Sequence, residues 1–306
     1  MEKRDRALGI VGFGEVGFGF AKGLKREGLH NILAYDKFWN QDPYSDLIQR
    51  RAEEAGVKLV PSIEEVVNGV ESIFVAVATS VARDVALDAR PYLRAGQLYI
   101  DVSSSSPRLK KELYEIIRLT GARFVDAAIV GPLPLYGHRV PTLACGPGAG
   151  EYKNLFGPFG MDITVIGDEP GQASAIKMFR SIFMKGIEAL FLEMLVAAAR
   201  YNVDKEVLES IAETLEKTPF VVSANRYVTG DAIHAARRVH EMEGVIETLV
   251  EMGLDPVMSL ATKKKLEWSA SLGLKEYFGG QTPASYKDVM KAIEERLSLK
   301  GDVGNE

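Results

Sequence analysis

Three cations lie in the otherwise apolar stretch GQASAIKMFRSIFMKG, residues 171–186, which has the pattern of a helix. On a helix that turns by about 100° per residue, Lys177, Arg180 and Lys185 share one arc with Ser181. Lys177 and Arg180 repel each other at this spacing by roughly a few tenths of a kcal/mol, which suggests an anionic ligand. The charge of Arg180 is also expected to lower the pKa of Lys177 and favour its use in proton transfer. An ordinary solvent-exposed stripe explains the same spacing equally well.

A glycine-rich loop follows the first apolar run of the chain and precedes a helical pattern. Its residues are Gly12, Phe13, Gly14, Glu15, Val16 and Gly17. In a dinucleotide fingerprint the first glycine allows a tight turn, the second admits the pyrophosphate, and the third lets the helix pack on the strand. Asp36 ends the second apolar run, where a carboxylate binds the ribose hydroxyls and repels a 2′-phosphate. NAD is therefore predicted, with NADP kept possible by the adjacent Lys37; a purely structural glycine turn or a methyltransferase loop are weaker alternatives.

Hydroxyl groups cluster where a later apolar run, QLYIDV, ends. Ligands bind at the carboxyl ends of parallel strands, so Ser103 and Ser104 are candidates to bind a substrate carboxylate. Ser106 and Pro107 have a simpler explanation as the N-cap and first residue of a helix. Ala78, which ends the run SIFVAVA, and Thr79, which follows it, are also predicted to bind the cofactor.

The order of apolar runs and helical patterns predicts the fold class. Short apolar runs at residues 8–13, 31–36, 72–78, 97–102, 123–130 and 162–167 alternate with helical patterns. This alternation predicts a Rossmann-like, doubly wound parallel sheet covered on both faces, over residues 1–166. Only helical patterns follow, which predicts an all-helical domain over residues 167–306 for substrate binding and dimerisation.

The long helix that opens the second half is nearly apolar all round. We expect it to be buried, with Met178, Phe179, Ile182 and Phe183 in the core. Such a helix also suits a subunit interface, so a homodimer or larger homo-oligomer is predicted.

Composition excludes several classes of function. The net charge of −5 argues against a nucleic-acid partner. The single cysteine, Cys145, excludes an internal disulfide and fits a reducing compartment, so a cytoplasmic location is expected. The histidines lack metal-ligand spacing, so no metal site is predicted. The N-terminus does not have the pattern of a signal peptide, and the most apolar long segment carries charges that a membrane span would not tolerate.

The order of the motifs resembles that of the β-hydroxyacid dehydrogenases, which include 6-phosphogluconate and 3-hydroxyisobutyrate dehydrogenases. GIVGFGEVGFGFAKGL is similar to the family's glycine fingerprint, and DVSSSSP stands in the place of its Asp-x-Ser-Thr-x-x-Pro segment. DAAIVGP matches the Asp-Ala-Pro-Val-Ser-Gly-Gly loop in part, and GQASAIKMFRS places Lys177 where the family has its catalytic lysine. The resemblance implies NAD(P)-linked hydride transfer at the alcohol or carbonyl group of a small anionic substrate, with Lys177 carrying the proton.

The sequence departs from the family where substrate is bound. Arg180 and Ser181 replace two asparagines, and Gly131 lies in Val-Gly-Pro where the family has Ser-Gly-Gly. His240 falls near the place of a later family lysine, although a solvated helix face explains it equally well. The predicted substrate-binding residues are therefore Ser103, Ser104, Gly131, Arg180, Ser181 and His240, for a substrate other than 6-phosphogluconate. An imine reductase and a non-catalytic NAD-binding sensor or scaffold remain as alternatives.

Overall fold

The computed structural model describes residues 6–302, and its first compact unit is built on an eight-stranded sheet. The strands are β1 (Ala7–Val11), β2 (Asn31–Tyr35), β3 (Lys58–Leu59), β4 (Ser72–Val75), β5 (Leu98–Asp101), β6 (Arg123–Ile129), β7 (Thr142–Cys145) and β8 (Ile163–Gly167). Their order in the sheet is β3-β2-β1-β4-β5-β6-β7-β8. Connections therefore run outward in both directions from β1, and ligands bind in such sheets where the direction reverses, at the carboxyl ends of the strands.

Helices connect the strands of this unit. They are α1 (Glu15–Arg26), α2 (Ser45–Ala55), α3 (Ile63–Asn68), α4 (Ala82–Ala89), α5 (Pro107–Arg118), α6 (Leu133–Tyr136) and α7 (Ala149–Phe156), and α8 (Gln172–Arg200) follows the last strand. Ser106 caps α5 as predicted, because its hydroxyl accepts a hydrogen bond from Leu109 N.

Successive strand residues belong to two different hydrophobic clusters. Ile10 and Phe74 pack with residues of α1, α2 and α7. Val11, Ile73 and Val75 pack with residues of α3, α4 and α5. This alternation places helices on both faces of the sheet, so the Rossmann-like fold class predicted from the sequence is confirmed.

Two strands were missing from the sequence-based prediction. β3 has only two residues, and β7 is a four-residue run between Pro141 and Gly146. β7 pairs with β6 in the antiparallel direction, whereas the other pairings are parallel. An antiparallel neighbour needs no long crossover helix, and a strand this short leaves a weak sequence pattern. The sheet is therefore mostly, not wholly, parallel.

The second compact unit spans residues 183–306, so the division between the two units falls within α8. After α8 come α9 (Asp204–Glu216), α10 (Phe220–Glu251), α11 (Val257–Ala270), α12 (Leu274–Tyr277) and α13 (Tyr286–Asp302). The residues of this unit that the structure describes form helices and no strand, as predicted. The domain boundary at residues 166 and 167, where the sheet ends, stays a prediction.

The apolar residues of α8 do not form the core that the sequence pattern predicts. Phe179 and Ile182 are 67% and 74% exposed, and Met178 and Phe183 are exposed as well. The expectation that these side chains are buried within the chain is wrong, because the pattern reports apolar character and not what covers it. Exposed apolar faces of this kind mark interaction surfaces, which favours the predicted homo-oligomer. The oligomeric state stays a prediction.

Candidate active site

The glycine loop between β1 and α1 has the shape that a dinucleotide requires. A Cβ at Gly12, whose φ is +89°, would lie 2.5 Å from Ala76 O, and one at Gly17 would lie 2.2 Å from Gly12 O. Gly14 is the N-cap of α1, and a Cβ there would have no neighbour within 4 Å. Gly12 and Gly17 are therefore needed for the local backbone, whereas Gly14 leaves the N-terminus of α1 open to a phosphate.

Asp36, which follows β2, is hydrogen-bonded to this loop. Its carboxylate accepts hydrogen bonds from Phe13 N at 2.8 Å and from Phe38 N at 3.0 Å. Phe13 therefore contributes its backbone, since its ring is fully buried. The ammonium group of Lys37 lies 4.6 Å from the centre of the Phe38 ring.

Asp36 also lines a cavity of about 520 Å³ together with Gly12, Gly14 and Ala78. Two more acids, Asp84 and Asp88, line the same cavity. Burial, followed by the charges of Asp36 and Asp88, raises the pKa of Tyr35 above its usual value. The open glycine, the acid and the cavity together fit the diphosphate and ribose of a dinucleotide. Of the other predicted loop residues, Glu15 is exposed, Val16 is half-buried, and Thr79 begins a 3₁₀ turn after Ala78.

The serine segment after β5 has one face turned inward and one outward. Ser103 donates from its hydroxyl to Asp101 Oδ1 at 2.5 Å, and its Oγ lies 2.8 Å from Ser105 Oγ. Ser103 and Ser105 are both buried, whereas Ser104 between them is exposed. The hydroxyl of Ser104 is therefore the one that the segment presents outward.

Lys177 on α8 contacts this exposed hydroxyl. Its Nζ donates to Ser104 Oγ at 2.9 Å. Burial lowers the pKa of Lys177 below its usual value, the nearby charge of Lys110 lowers it further, and Asp126 opposes both. The pKa of Lys177 is lowered, as the sequence predicts. The positive charge that lowers it belongs to Lys110, however, and not to Arg180 as expected.

The two other polar residues of this helix face contact backbone atoms. Arg180 donates to Val130 O at 2.6 Å, in the loop that follows β6. Ser181 donates from its hydroxyl to Lys177 O at 2.9 Å, one helical turn back. Gly131 lies next to Val130 and is half-buried. Arg180 is therefore held against the loop that the sequence comparison had assigned to substrate.

Asp126 of β6 is a site residue that the sequence reasoning missed. Its Oδ2 accepts hydrogen bonds from Gly171 N and Ser174 N, both at 3.1 Å. Its Oδ1 accepts from the Ser174 hydroxyl at 2.7 Å. A carboxylate at the N-terminus of a helix is favoured by the helix dipole, and here it fixes the turn that precedes Lys177. The available signal was an acid within a run, residues 124–129, that is otherwise apolar.

The remaining predicted residue, His240, lies on α10 in the second unit. Its side chain is exposed, and its Nδ1 is 3.2 Å from Glu243 Oε2. Within the residues described here, no cluster of His, Cys, Asp and Glu side chains has the arrangement of a metal site. The described helices include none that is long and apolar enough to cross a membrane.

Two family models match the chain. The NAD binding domain of 6-phosphogluconate dehydrogenase matches residues 7–148, and a domain of unknown function, DUF1932, matches residues 198–269. A solved structure of a conserved protein of unknown function, described as similar to 3-hydroxyacid dehydrogenases, is 33% identical to this chain. The match covers 88% of this chain and 97% of the other, with a TM-score of 0.59. The chain belongs to the 6-phosphogluconate dehydrogenase-like family.

Membership of this family establishes which cofactor the N-terminal part of the chain binds. The N-terminal part of this 6-phosphogluconate dehydrogenase-like protein is an NAD(P)-binding domain, as its sequence predicts. The mitochondrial 3-hydroxyisobutyrate dehydrogenase of Homo sapiens is 26% identical over a 247-residue alignment that covers 73% of this chain and 70% of the human one. These relatives support an oxidoreductase.

A second group of proteins shares the fold. The imine reductase of Streptomyces aurantiacus is 17% identical, covers 94% of this 6-phosphogluconate dehydrogenase-like chain and 99% of its own, and has a TM-score of 0.72. At this level of identity the likeness shows the fold alone. The chemistry must therefore be argued from the side chains.

Proposed function

We propose that this protein transfers a hydride between NAD(P) and the alcohol or carbonyl group of a small anionic substrate, with Lys177 as the proton carrier. The observation that supports this most is the contact of Lys177 with Ser104, because burial and Lys110 lower the pKa of the lysine there. A lysine whose pKa is lowered exchanges a proton more readily near neutral pH than an ordinary one.

The roles follow from the protonation of Lys177. The bound nicotinamide supplies or accepts the hydride. In oxidation, neutral Lys177 accepts the hydroxyl proton of the substrate through the lone pair on Nζ. In reduction, the ammonium form donates a proton to the carbonyl oxygen. Ser104 orients Nζ, since its Oγ accepts one of the N–H groups.

The charges around Lys177 favour an anionic substrate. Arg180 is exposed, and one of its N–H groups is occupied by Val130 O. A guanidinium group has five N–H donors in a planar fork, so it retains donors that match a carboxylate. A cationic iminium substrate would meet the charges of Lys177 and Arg180, which counts against the imine reductase alternative.

A screen of substrates tests the proposed function. NAD(P)H absorbance would be followed with 3-hydroxy acids, oxo acids and cyclic imines, and we expect turnover of the acids. The Arg180→Asn variant should raise the KM of the acid by about tenfold to a hundredfold with little change in kcat, because a charge-assisted hydrogen bond contributes roughly 1.5–3 kcal/mol. Arg90→Asn, at an exposed arginine that ends α4, serves as the matched control.

The outcomes of the screen separate the alternatives. Turnover of imines alone would establish the reductase on the same fold. Silence throughout, with tight binding of NADH, would favour the non-catalytic sensor. An unchanged KM in Arg180→Asn would remove Arg180 from the substrate site.

We further propose that Asp36 selects NAD over NADP. Asp36→Ala should lower the ratio of the NADPH Kd to the NADH Kd by about tenfold, roughly 1.4 kcal/mol, because a charge that repels the 2′-phosphate is removed. The ratio is the correct measure, since the loss of the contacts with Phe13 N and Phe38 N weakens both cofactors. Asp46→Ala, at an exposed acid of α2, is the control. A ratio equal to that of the wild type would show that Asp36 is not the selector.

A further inference from the structure

Lys110 is a lysine placed where the pattern of α5 calls for an apolar side chain. It lies on the buried face of the helix with Leu113 and Ile117, and none of its surface is exposed. Its Nζ donates to Asp101 O at 2.8 Å and to Asp101 Oδ1 at 2.5 Å, and lies 3.3 Å from Asp126 Oδ1. These oxygens match the three protons of an ammonium group. The side chain is therefore fully committed to the two acids.

Stability does not account for this arrangement. Moving a charged group out of water costs several kcal/mol, and apolar residues of similar volume often replace a buried ion pair without loss of stability. A buried ion pair is therefore weak evidence for a stabilising role, which leaves a second role for Lys110 to be considered. The positions of its two partners, Asp101 and Asp126, indicate what that second role is.

Each acid holds one half of the site around Lys177. Asp101 holds the serine segment, because its Oδ1 accepts from both the N–H and the hydroxyl of Ser103. Asp126 holds the first turn of α8 through Gly171 N, Ser174 N and the Ser174 hydroxyl. The two acids lie side by side in register on β5 and β6. Lys110 is the side chain that contacts both.

We propose that Lys110 is a positioning residue that joins the serine segment to the N-terminus of α8 and so keeps Lys177 and Ser104 at hydrogen-bonding distance. The proposal rests on the proposed function of Lys177. It concerns a contact that lies beneath the surface of the site, so Lys110 does not touch substrate.

The charge of Lys110 also affects the pKa of Lys177. It lowers the pKa of Lys177 and Asp126 raises it, so removal of Lys110 should move this pKa upward. The charged and titratable groups around this point come from every element packed there: Lys110 on α5, Asp101 on β5, Asp126 on β6, Cys145 on β7, and Arg180 on α8. The thiol of Cys145 contacts Asp126, and burial raises its pKa to about 11, so it is neutral in the range of interest.

The test compares Lys110→Met with Lys111→Met, at the exposed lysine next to it. Trace acetic anhydride would be added across a range of pH, and acetylation of Lys177 would be measured by mass spectrometry. We expect the midpoint of Lys177 acetylation to rise in Lys110→Met and to stay in place in Lys111→Met. This measurement needs no substrate, so it tests Lys110 even if the proposed function fails.

A second variant guards against misfolding caused by the unpaired acids. Lys110→Met with Asp101→Asn removes one positive and one negative charge, and we expect it to fold. With a substrate from the screen, kcat should fall by at least about tenfold, whereas the Kd for NADH should stay within about threefold of the wild-type value, because Lys110 contacts no residue of the glycine loop described above.

Each other outcome would overturn the proposal. An unchanged midpoint for Lys177 would show that Lys110 does not act on it. An unchanged kcat in the double variant would show that Lys110 has no effect on Lys177. A fall in kcat accompanied by a loss of NADH binding would show that the effect of Lys110 is not specific to Lys177. Failure of both variants to fold would make Lys110 a structural residue only.

Discussion

Lys177→Met is expected to lower kcat by about a hundredfold to ten-thousandfold and to leave the Kd for NADH within about threefold of the wild-type value. The substitution keeps most of the side-chain volume but removes the group that carries the proton. NADH binding should persist because the glycine loop and Asp36 do not depend on this side chain. Stopped-flow binding of NADH and steady-state turnover measure the two effects separately.

The control for this experiment is Lys153→Met, at an exposed lysine of α7. It removes the same charge from the same unit and should leave both kcat and the Kd unchanged. Normal turnover of the true substrate by Lys177→Met would show that the proposed mechanism is wrong. Loss of NADH binding would show instead that Lys177 has a structural role.

The pH dependence of turnover should follow from the lowered pKa of Lys177. Oxidation requires the neutral amine, so its rate rises with pH through this pKa. Reduction requires the ammonium form, so its rate falls through the same pKa. Because burial and Lys110 lower this pKa, both limbs should lie below the range of an ordinary lysine. Opposite slopes in the two directions, measured on the wild type, are the expected signature.

The fold was predictable because its signals are local. Six of the eight strands are short apolar runs beside turn residues, and their alternation with helical patterns indicates how the strands connect. Gly12, Gly14 and Gly17 with Asp36 follow from spacing along one strand–turn–helix unit. The short strand β7 left only a weak pattern, and its antiparallel pairing with β6 is a tertiary contact that a local pattern does not report.

The candidate site was predictable only in part, because the buried side chains beneath Lys177 come from separate elements of the chain. Lys110 meets Asp101 and Asp126 once β5 and β6 are aligned, and nothing in the spacing of the three reveals this. The serine segment shows the same limit. Ser103 and Ser105 are buried and Ser104 between them is exposed, which four serines in a row do not reveal.

The glycine loop allows the binding of cofactor to be separated from the stability of the fold. Gly14→Ala should lower the affinity for NADH by at least about tenfold, because a methyl group would occupy the space where the backbone approaches the pyrophosphate. The free energy of unfolding should hardly change, since the φ of Gly14 is −69° and a Cβ there has no neighbour within 4 Å. Thermal unfolding with and without NADH measures both quantities.

Gly17→Ala should have a different outcome, although the added group is the same. Its Cβ would lie 2.2 Å from Gly12 O and 3.1 Å from Ile10 Cγ2, so α1 must move away from β1. We expect a loss of about 1–3 kcal/mol in the free energy of unfolding, together with the loss of NADH affinity. Gly150→Ala is the control, because it adds a methyl group to α7 at a position where a Cβ meets nothing within 4 Å. Equal losses of stability in Gly14→Ala and Gly17→Ala would contradict this difference, because a Cβ at Gly17 meets Ile10 of the strand and a Cβ at Gly14 meets nothing within 4 Å.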